Sequence, residues 1–218
     1  MGHLRFRTAD GVMLEGELRE VEGVSLGTGV LLHAHPRHGG SKDHPVLWAI
    51  RNELAGRRGL TVLGINFRGI MGSGGDFGGG HGELEDAAAA VDRVRQEAEG
   101  PTVVVGWSFG ASVALRYALT DDRVAALVLV GLPLGDTHGR VPSLPGPGSL
   151  ERLETPVLLV SGDDDEISPS GALNDLASRL PKAWTLLVPG GGHYFSRRER
   201  EVAERIGEWV AGTVTGQA

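Results

Sequence analysis

Five short segments, residues 29–33, 61–67, 102–107, 124–130 and 156–160, are apolar or small at nearly every position instead of at alternate ones. A strand with one wet face alternates; a continuous run of this length suits a strand covered on both sides. Between these runs lie segments with helical spacing. Leu47, Ile50 and Leu54 share one face of a segment that Asp43 could cap and that runs to Gly56. Leu84, Ala87, Ala88, Val91 and Val94 make a second stripe, and Val202, Ile206, Trp209 and Val210 make a last one. Residues 109–119 and 173–180 are also predicted helical, and 184–188 a strand. Residues 4–7 and 12–19, joined across Ala9-Asp10-Gly11, read as a hairpin. Doubly covered strands alternating with helices imply an α/β fold, a mostly parallel sheet flanked by helices on both faces. No repeat and no linker interrupts the pattern, and 218 residues are enough for one domain spanning residues 1–218. In such sheets, reactive groups gather at the carboxyl ends of the strands.

Composition removes several function classes. A formal net charge of −7 opposes binding to a nucleic-acid backbone. The chain has no cysteine, hence no disulfide and no thiol nucleophile. Met1-Gly2-His3-Leu4-Arg5 is not the start of an apolar leader, and no stretch has the length of a membrane span. The expectation is a cytoplasmic protein with no membrane partner; whether it pairs as a homodimer is left open.

At the carboxyl end of the third apolar run stands Gly106-Trp107-Ser108-Phe109-Gly110, a G-x-S-x-G pattern. With 35 glycines in the chain, about 0.3 such matches arise by chance, so the pattern alone is weak. Its context is specific: Val103-Val104-Val105 leads in and an apolar helix leads out, the setting of a nucleophile elbow. A helix N-terminus behind Ser108 favours developing negative charge. Gly190-Gly191-Gly192-His193 follows the last strand and offers a general base on a loop that glycines allow to bend back. Ser161-Gly162-Asp163-Asp164-Asp165-Glu166 follows the 156–160 strand and offers a carboxylate for the second imidazole nitrogen. Four acids compete there; Asp136, after the preceding strand, is the alternative.

These segments resemble the compact, lid-poor α/β-hydrolases of dienelactone-hydrolase-like topology. The similarity is greatest to a bacterial group with His-Pro-His-Pro-x-x-Gly-Gly and Asn-Phe-Arg-Gly-Val-Gly-x-Ser-x-Gly segments. Here they read His33-Ala34-His35-Pro36-Arg37-His38-Gly39-Gly40 and Asn66-Phe67-Arg68-Gly69-Ile70-Met71-Gly72-Ser73-Gly74-Gly75. The resemblance covers roughly residues 29–195 and includes Gly82-Glu83-Leu84-Glu85-Asp86. It implies an α/β-hydrolase fold with no large cap domain. The family pattern Gly-x-x-Asp-x-x-x-Pro falls on Gly162, Asp165 and Pro169, which selects Asp165 as the acid. Ala34 stands where the group has proline and Met71 where it has glycine, both near the expected pocket. True dienelactone hydrolases use a cysteine nucleophile, which this chain lacks.

The reading that follows is a catalytic triad of Ser108, Asp165 and His193, with Phe109 and His35 supplying oxyanion-hole N–H groups. Arg37 is the fallback donor, since Pro36 has no N–H. Arg37, Met71, Trp107 and Leu134 are the candidate substrate contacts, Leu134 because residues 131–149 form a proline-rich segment at the carboxyl edge. A metal at His33-x-His35 with His38 is the rival to the oxyanion role; no acid follows at ligand spacing, and no metal or cofactor is expected. Arg68 is expected to pair with Glu83 or Asp86 and pin residues 69–82. The expected reaction is hydrolysis of a small-molecule carboxylic ester with a small acyl group. Thioesterase, lactonase or peptidase activity is the alternative, as is a non-enzymatic binding protein on the same scaffold.

Overall fold

A computed structural model describes residues 2–135 and 141–215. Its frame is one eight-stranded sheet: β1 (Gly2–Arg7), β2 (Met13–Arg19), β3 (Gly27–Leu32), β4 (Leu60–Asn66), β5 (Thr102–Trp107), β6 (Val124–Val130), β7 (Val157–Gly162) and β8 (Ala183–Val188). The spatial order is β1-β2-β4-β3-β5-β6-β7-β8. β1 and β2 form the antiparallel hairpin, β2 runs antiparallel to β4, and every pairing from β4 to β8 is parallel.

The helices are α1 (Pro45–Gly56), α2 (Gly82–Val94), α3 (Phe109–Ala118), the single turn α4 (Pro147–Leu150), α5 (Ser170–Ala177) and α6 (Glu199–Val210). Strand periodicity sends alternate side chains into two cores. In β5, Val104 joins the core under α2, α3 and α5, whereas Val103, Val105 and Trp107 join the core under α1 and α6. β6 splits the same way: Leu127 and Leu129 to one side, Ala126, Val128 and Val130 to the other. The all-apolar runs thus serve two layers at once, which explains why they do not alternate.

Two local details differ from expectation. The cap of α1 is His44, whose side chain accepts from the Val46 N–H, with Pro45 in the first turn where its missing N–H costs nothing. Asp43 instead pairs with the buried Lys42 ammonium at 2.8 Å. Arg68 does pair with Asp86 (2.8 Å), but its second partner is Asp10 of the hairpin turn (2.8 Å). Glu83 holds the glycine loop directly, accepting the N–H groups of Gly78 and Gly80. Among the described residues no helix is long and apolar enough to cross a membrane.

Candidate active site

Ser108 stands at the turn from β5 into α3 with φ 54° and ψ −117°, a conformation that is strained for any residue with a Cβ. Its N–H donates to the Val130 carbonyl at 2.8 Å, which ties the turn to β6. The flanking glycines are required sterically. A Cβ at Gly106 would run into the backbone of Gly110 and Ala111, and one at Gly110 into the carbonyls of Leu32 and His33. The sharp turn therefore packs against both neighbouring segments and leaves the serine hydroxyl at the sheet edge.

His193 arrives on the loop after β8. That loop lies flat on the one after β7: a Cβ at Gly162 would overlap the Gly191 carbonyl. Asp163 accepts the Gly190 N–H, and the Asp164 N–H donates to the Gly191 carbonyl at 3.0 Å. Phe195, fully buried, anchors the loop in the core at a strained φ of 50°. The Trp107 indole N–H donates to the His193 carbonyl at 3.3 Å. Held this way, His193 Nε2 lies 2.8 Å from Ser108 Oγ and Nδ1 lies 2.9 Å from Asp165 Oδ2. Gly131, at φ +55°, passes beside the ring, where a Cβ would come within 3.1 Å of its Cε1.

The other Asp165 oxygen accepts the N–H groups of Ile167 (2.9 Å) and Ser168 (3.0 Å). Burial pushes this carboxyl up, but hydrogen bonding and charge from His193, with the two N–H donors, outweigh it and hold the group below the usual aspartate value. Asp165 is thus an ionised acceptor for the imidazole. Asp163 and Asp164 are exposed, and Asp136 lies outside the described residues.

The loop after β3 faces the serine across a cavity of about 310 Å³. It begins at His33, which is fully buried. His33 Nδ1 donates to the Ala34 carbonyl at 2.6 Å, and Nε2 accepts the Phe67 N–H at 3.0 Å. Burial pushes its pKa down to about 4, so the ring is a neutral strut between β3 and β4, with both nitrogens engaged by backbone. The loop then makes a turn of 3₁₀-helix, Pro36–His38, capped by the His35 ring, whose Nδ1 accepts the Arg37 N–H at 3.1 Å. Phe109, the first residue of α3, has no intrahelical acceptor for its N–H.

Residues 27–212 match the model of the alpha/beta hydrolase domain. The chain belongs to the α/β-hydrolase family. An uncharacterised protein of Rickettsia prowazekii is 27% identical over 218 residues, spanning 96% of this chain and 89% of that one. Among solved structures, an α/β serine hydrolase homologue from Coxiella burnetii superposes with a TM-score of 0.81 at 27% identity, covering 94% of this chain and 96% of its own. A lidless α/β serine hydrolase from Xanthomonas campestris does so with a TM-score of 0.81 at 25% identity, covering 98% and 94%.

In this α/β hydrolase, Ser108, His193 and Asp165 meet, and His35 and Trp107 both line the cavity. Three expected substrate contacts do not line it. Met71 is 75% exposed, at a left-handed turn whose next N–H, that of Gly72, is held by Glu15 of the hairpin. Leu134 packs on the core below α3, and Pro133 takes its place at the cavity. Arg37 is exposed with its guanidinium 4.9 Å from the Phe77 ring, and its N–H is engaged by His35, which removes it as the fallback donor. Val141, from the proline-rich segment expected at the pocket, does line it; lining residues that the sequence did not single out are His44, Tyr194 and Ile167. Tyr194 adjoins His193 in sequence, but nothing local distinguishes the others. A larger, open groove of about 800 Å³ lies at the opposite end of the strands, around Asp121 and Pro156, and contains no part of this arrangement.

Proposed function

We propose that the chain is a serine esterase that cleaves small carboxylic esters through an acyl-enzyme. The observation that carries this reading is the continuous Ser108–His193–Asp165 hydrogen-bonded chain at the wall of the 310 Å³ cavity. Ser108 Oγ attacks the ester carbonyl carbon while its proton passes to His193 Nε2. Asp165 keeps the other imidazole proton on Nδ1 and stabilises the imidazolium. The negative charge on the former carbonyl oxygen is met by the N–H groups of Phe109 and His35, at the positive end of α3. Collapse of the tetrahedral species breaks the bond to the alcohol oxygen, which takes the proton from His193. Water then attacks the acyl-Ser108 ester, giving its proton to His193, and the acid leaves as Ser108 recovers its hydrogen.

The size of the cavity, at the low end for ligand sites, supports small substrates. The likeness to serine hydrolases from Coxiella and Xanthomonas supports the serine nucleophile. A panel of p-nitrophenyl esters should show fastest turnover for acetate to butyrate and little for palmitate. Ser108→Ala should lose about 10⁴-fold or more in kcat while keeping the wild-type circular dichroism spectrum. A fluorophosphonate should label wild-type Ser108; label elsewhere, or an active alanine variant, contradicts the reading.

A further inference from the structure

The imidazole of His44 lines the cavity and takes no part in the chemistry proposed above. His44 caps α1, and its Nδ1 accepts the Val46 N–H at 3.4 Å. Its ring lies 4.0 Å from that of Trp107, centroid to centroid, with a tilt of 34°, and Tyr194 stands 6.2 Å away. An accepting Nδ1 leaves the proton of the neutral ring on Nε2, and among the described residues Nε2 has no hydrogen-bond partner. Burial holds the pKa of His44 below the usual histidine value against the opposing charge of Glu199. A proton on Nδ1 would also face the Val46 N–H. His44 is therefore a neutral single donor, held in orientation by its cap bond and by the indole.

The surroundings narrow what could accept that hydrogen. None of the described lining residues is Asp, Glu, Lys or Arg, and the lining includes the apolar side chains of Pro133, Val141 and Ile167. A donor displaced from water without a new partner loses binding energy, so an acceptor on the substrate is selected over a methylene of the same shape. We propose that His44 is a specificity-determining residue, donating Nε2–H to an uncharged oxygen of the substrate. The preferred substrates would then be neutral esters carrying an ether, hydroxyl or carbonyl oxygen in the part seated against Trp107. The inference rests on the esterase reading above.

The test uses two pairs of esters matched in shape: p-nitrophenyl methoxyacetate against butyrate, and 2-methoxyethyl acetate against butyl acetate. The ratio of kcat/KM within each pair cancels intrinsic reactivity when variants are compared with wild type. His44→Asn keeps an oxygen on the Val46 N–H but has no atom at the Nε2 position. His44→Gln weakens the cap but places an amide nitrogen where Nε2 was. The expected result is a three- to tenfold fall of the oxygen-to-methylene ratio in His44→Asn for at least one pair, about the strength of one hydrogen bond. In His44→Gln the ratio should be retained even as thermal stability falls. Ratios unmoved in His44→Asn, or lost equally in His44→Gln, overturn the inference while leaving the esterase reading intact. A wild type that hydrolyses none of the four esters overturns both.

Discussion

Asp163, Asp164 and Asp165 are chemically identical and consecutive, yet their surroundings separate them. Asp163 caps the turn before His193 by accepting the Gly190 N–H, and Asp164 is exposed. Only Asp165 turns inward, its N–H closing a tight turn on the Gly162 carbonyl and its carboxylate taking His193 and two backbone donors. Asp165→Asn should therefore lower kcat on p-nitrophenyl acetate by about 10³- to 10⁴-fold, because the amide can present its NH₂ to Nδ1 and favour the wrong tautomer. Asp163→Asn and Asp164→Asn should stay within a few-fold of wild type, since an asparagine oxygen still accepts from Gly190. A crippled Asp164→Asn would mean that the carboxylate assignment is one residue out. Of these three, the segment's register against Gly162 and Pro169 pointed to Asp165, but the acidic run itself carried no signal of which side chain is buried.

At the scale of elements, the loop between β4 and α2 is held at both ends by charge. Arg68 bridges Asp86 of α2 and Asp10 of the β1–β2 turn, and Glu83 gathers the Gly78 and Gly80 N–H groups. Met71 sits on this loop at φ 51° with most of its side chain in water. A left-handed residue with a Cβ costs about 1–2 kcal/mol, and glycine returns part of that through the entropy of the unfolded chain. Met71→Gly should thus stabilise the fold by up to about 1 kcal/mol, measured as a raised urea midpoint with unchanged slope. Because Met71 lies outside the cavity, the ester panel should keep its profile; an altered profile would place this residue at the substrate after all. Sequence pointed Arg68 to either Glu83 or Asp86, because both stand across one loop from it. It could not show Asp10, which comes from the hairpin and meets Arg68 only through the β2–β4 pairing.

For the whole molecule, His33 links global stability to pH. It joins the carboxyl ends of β3 and β4 as a neutral ring, with a pKa of about 4 against an ordinary value of 6.5. Between these values the unfolded chain binds a proton that the folded chain does not. This contribution to stability is complete above about pH 6.5 and is lost as pH falls towards 4, reaching on the order of 3 kcal/mol. His33→Gln keeps an acceptor for the Phe67 N–H without a titrating base. Its unfolding free energy should be lower at neutral pH but should fall less steeply than that of wild type between about pH 6.5 and pH 4. Parallel pH profiles would show that His33 does not carry this dependence. The same variant should disturb the loop that carries His35, since the ring is the strut beneath it.

What the chain determined by itself is what depends on neighbours in sequence. Continuous apolar runs specify doubly covered strands, glycines flanking Ser108 permit its strained turn, and the order of loops after successive strands brings Ser108, Asp165 and His193 to one edge. These are short-range consequences of periodicity and of backbone sterics, and they are legible without coordinates. Which side chains face the cavity was decided only by the tertiary structure. His44, Ile167 and Tyr194 come from three separate segments, and the order β4-β3-β5-β6-β7-β8 sets them around Ser108. Met71, Leu134 and Arg37 lie as near to the motifs in sequence, but a left-handed turn, packing on the core and a contact with Phe77 take them elsewhere. Side-chain direction in a loop follows from the packing of segments distant in sequence, and that packing exists only once the sheet has formed.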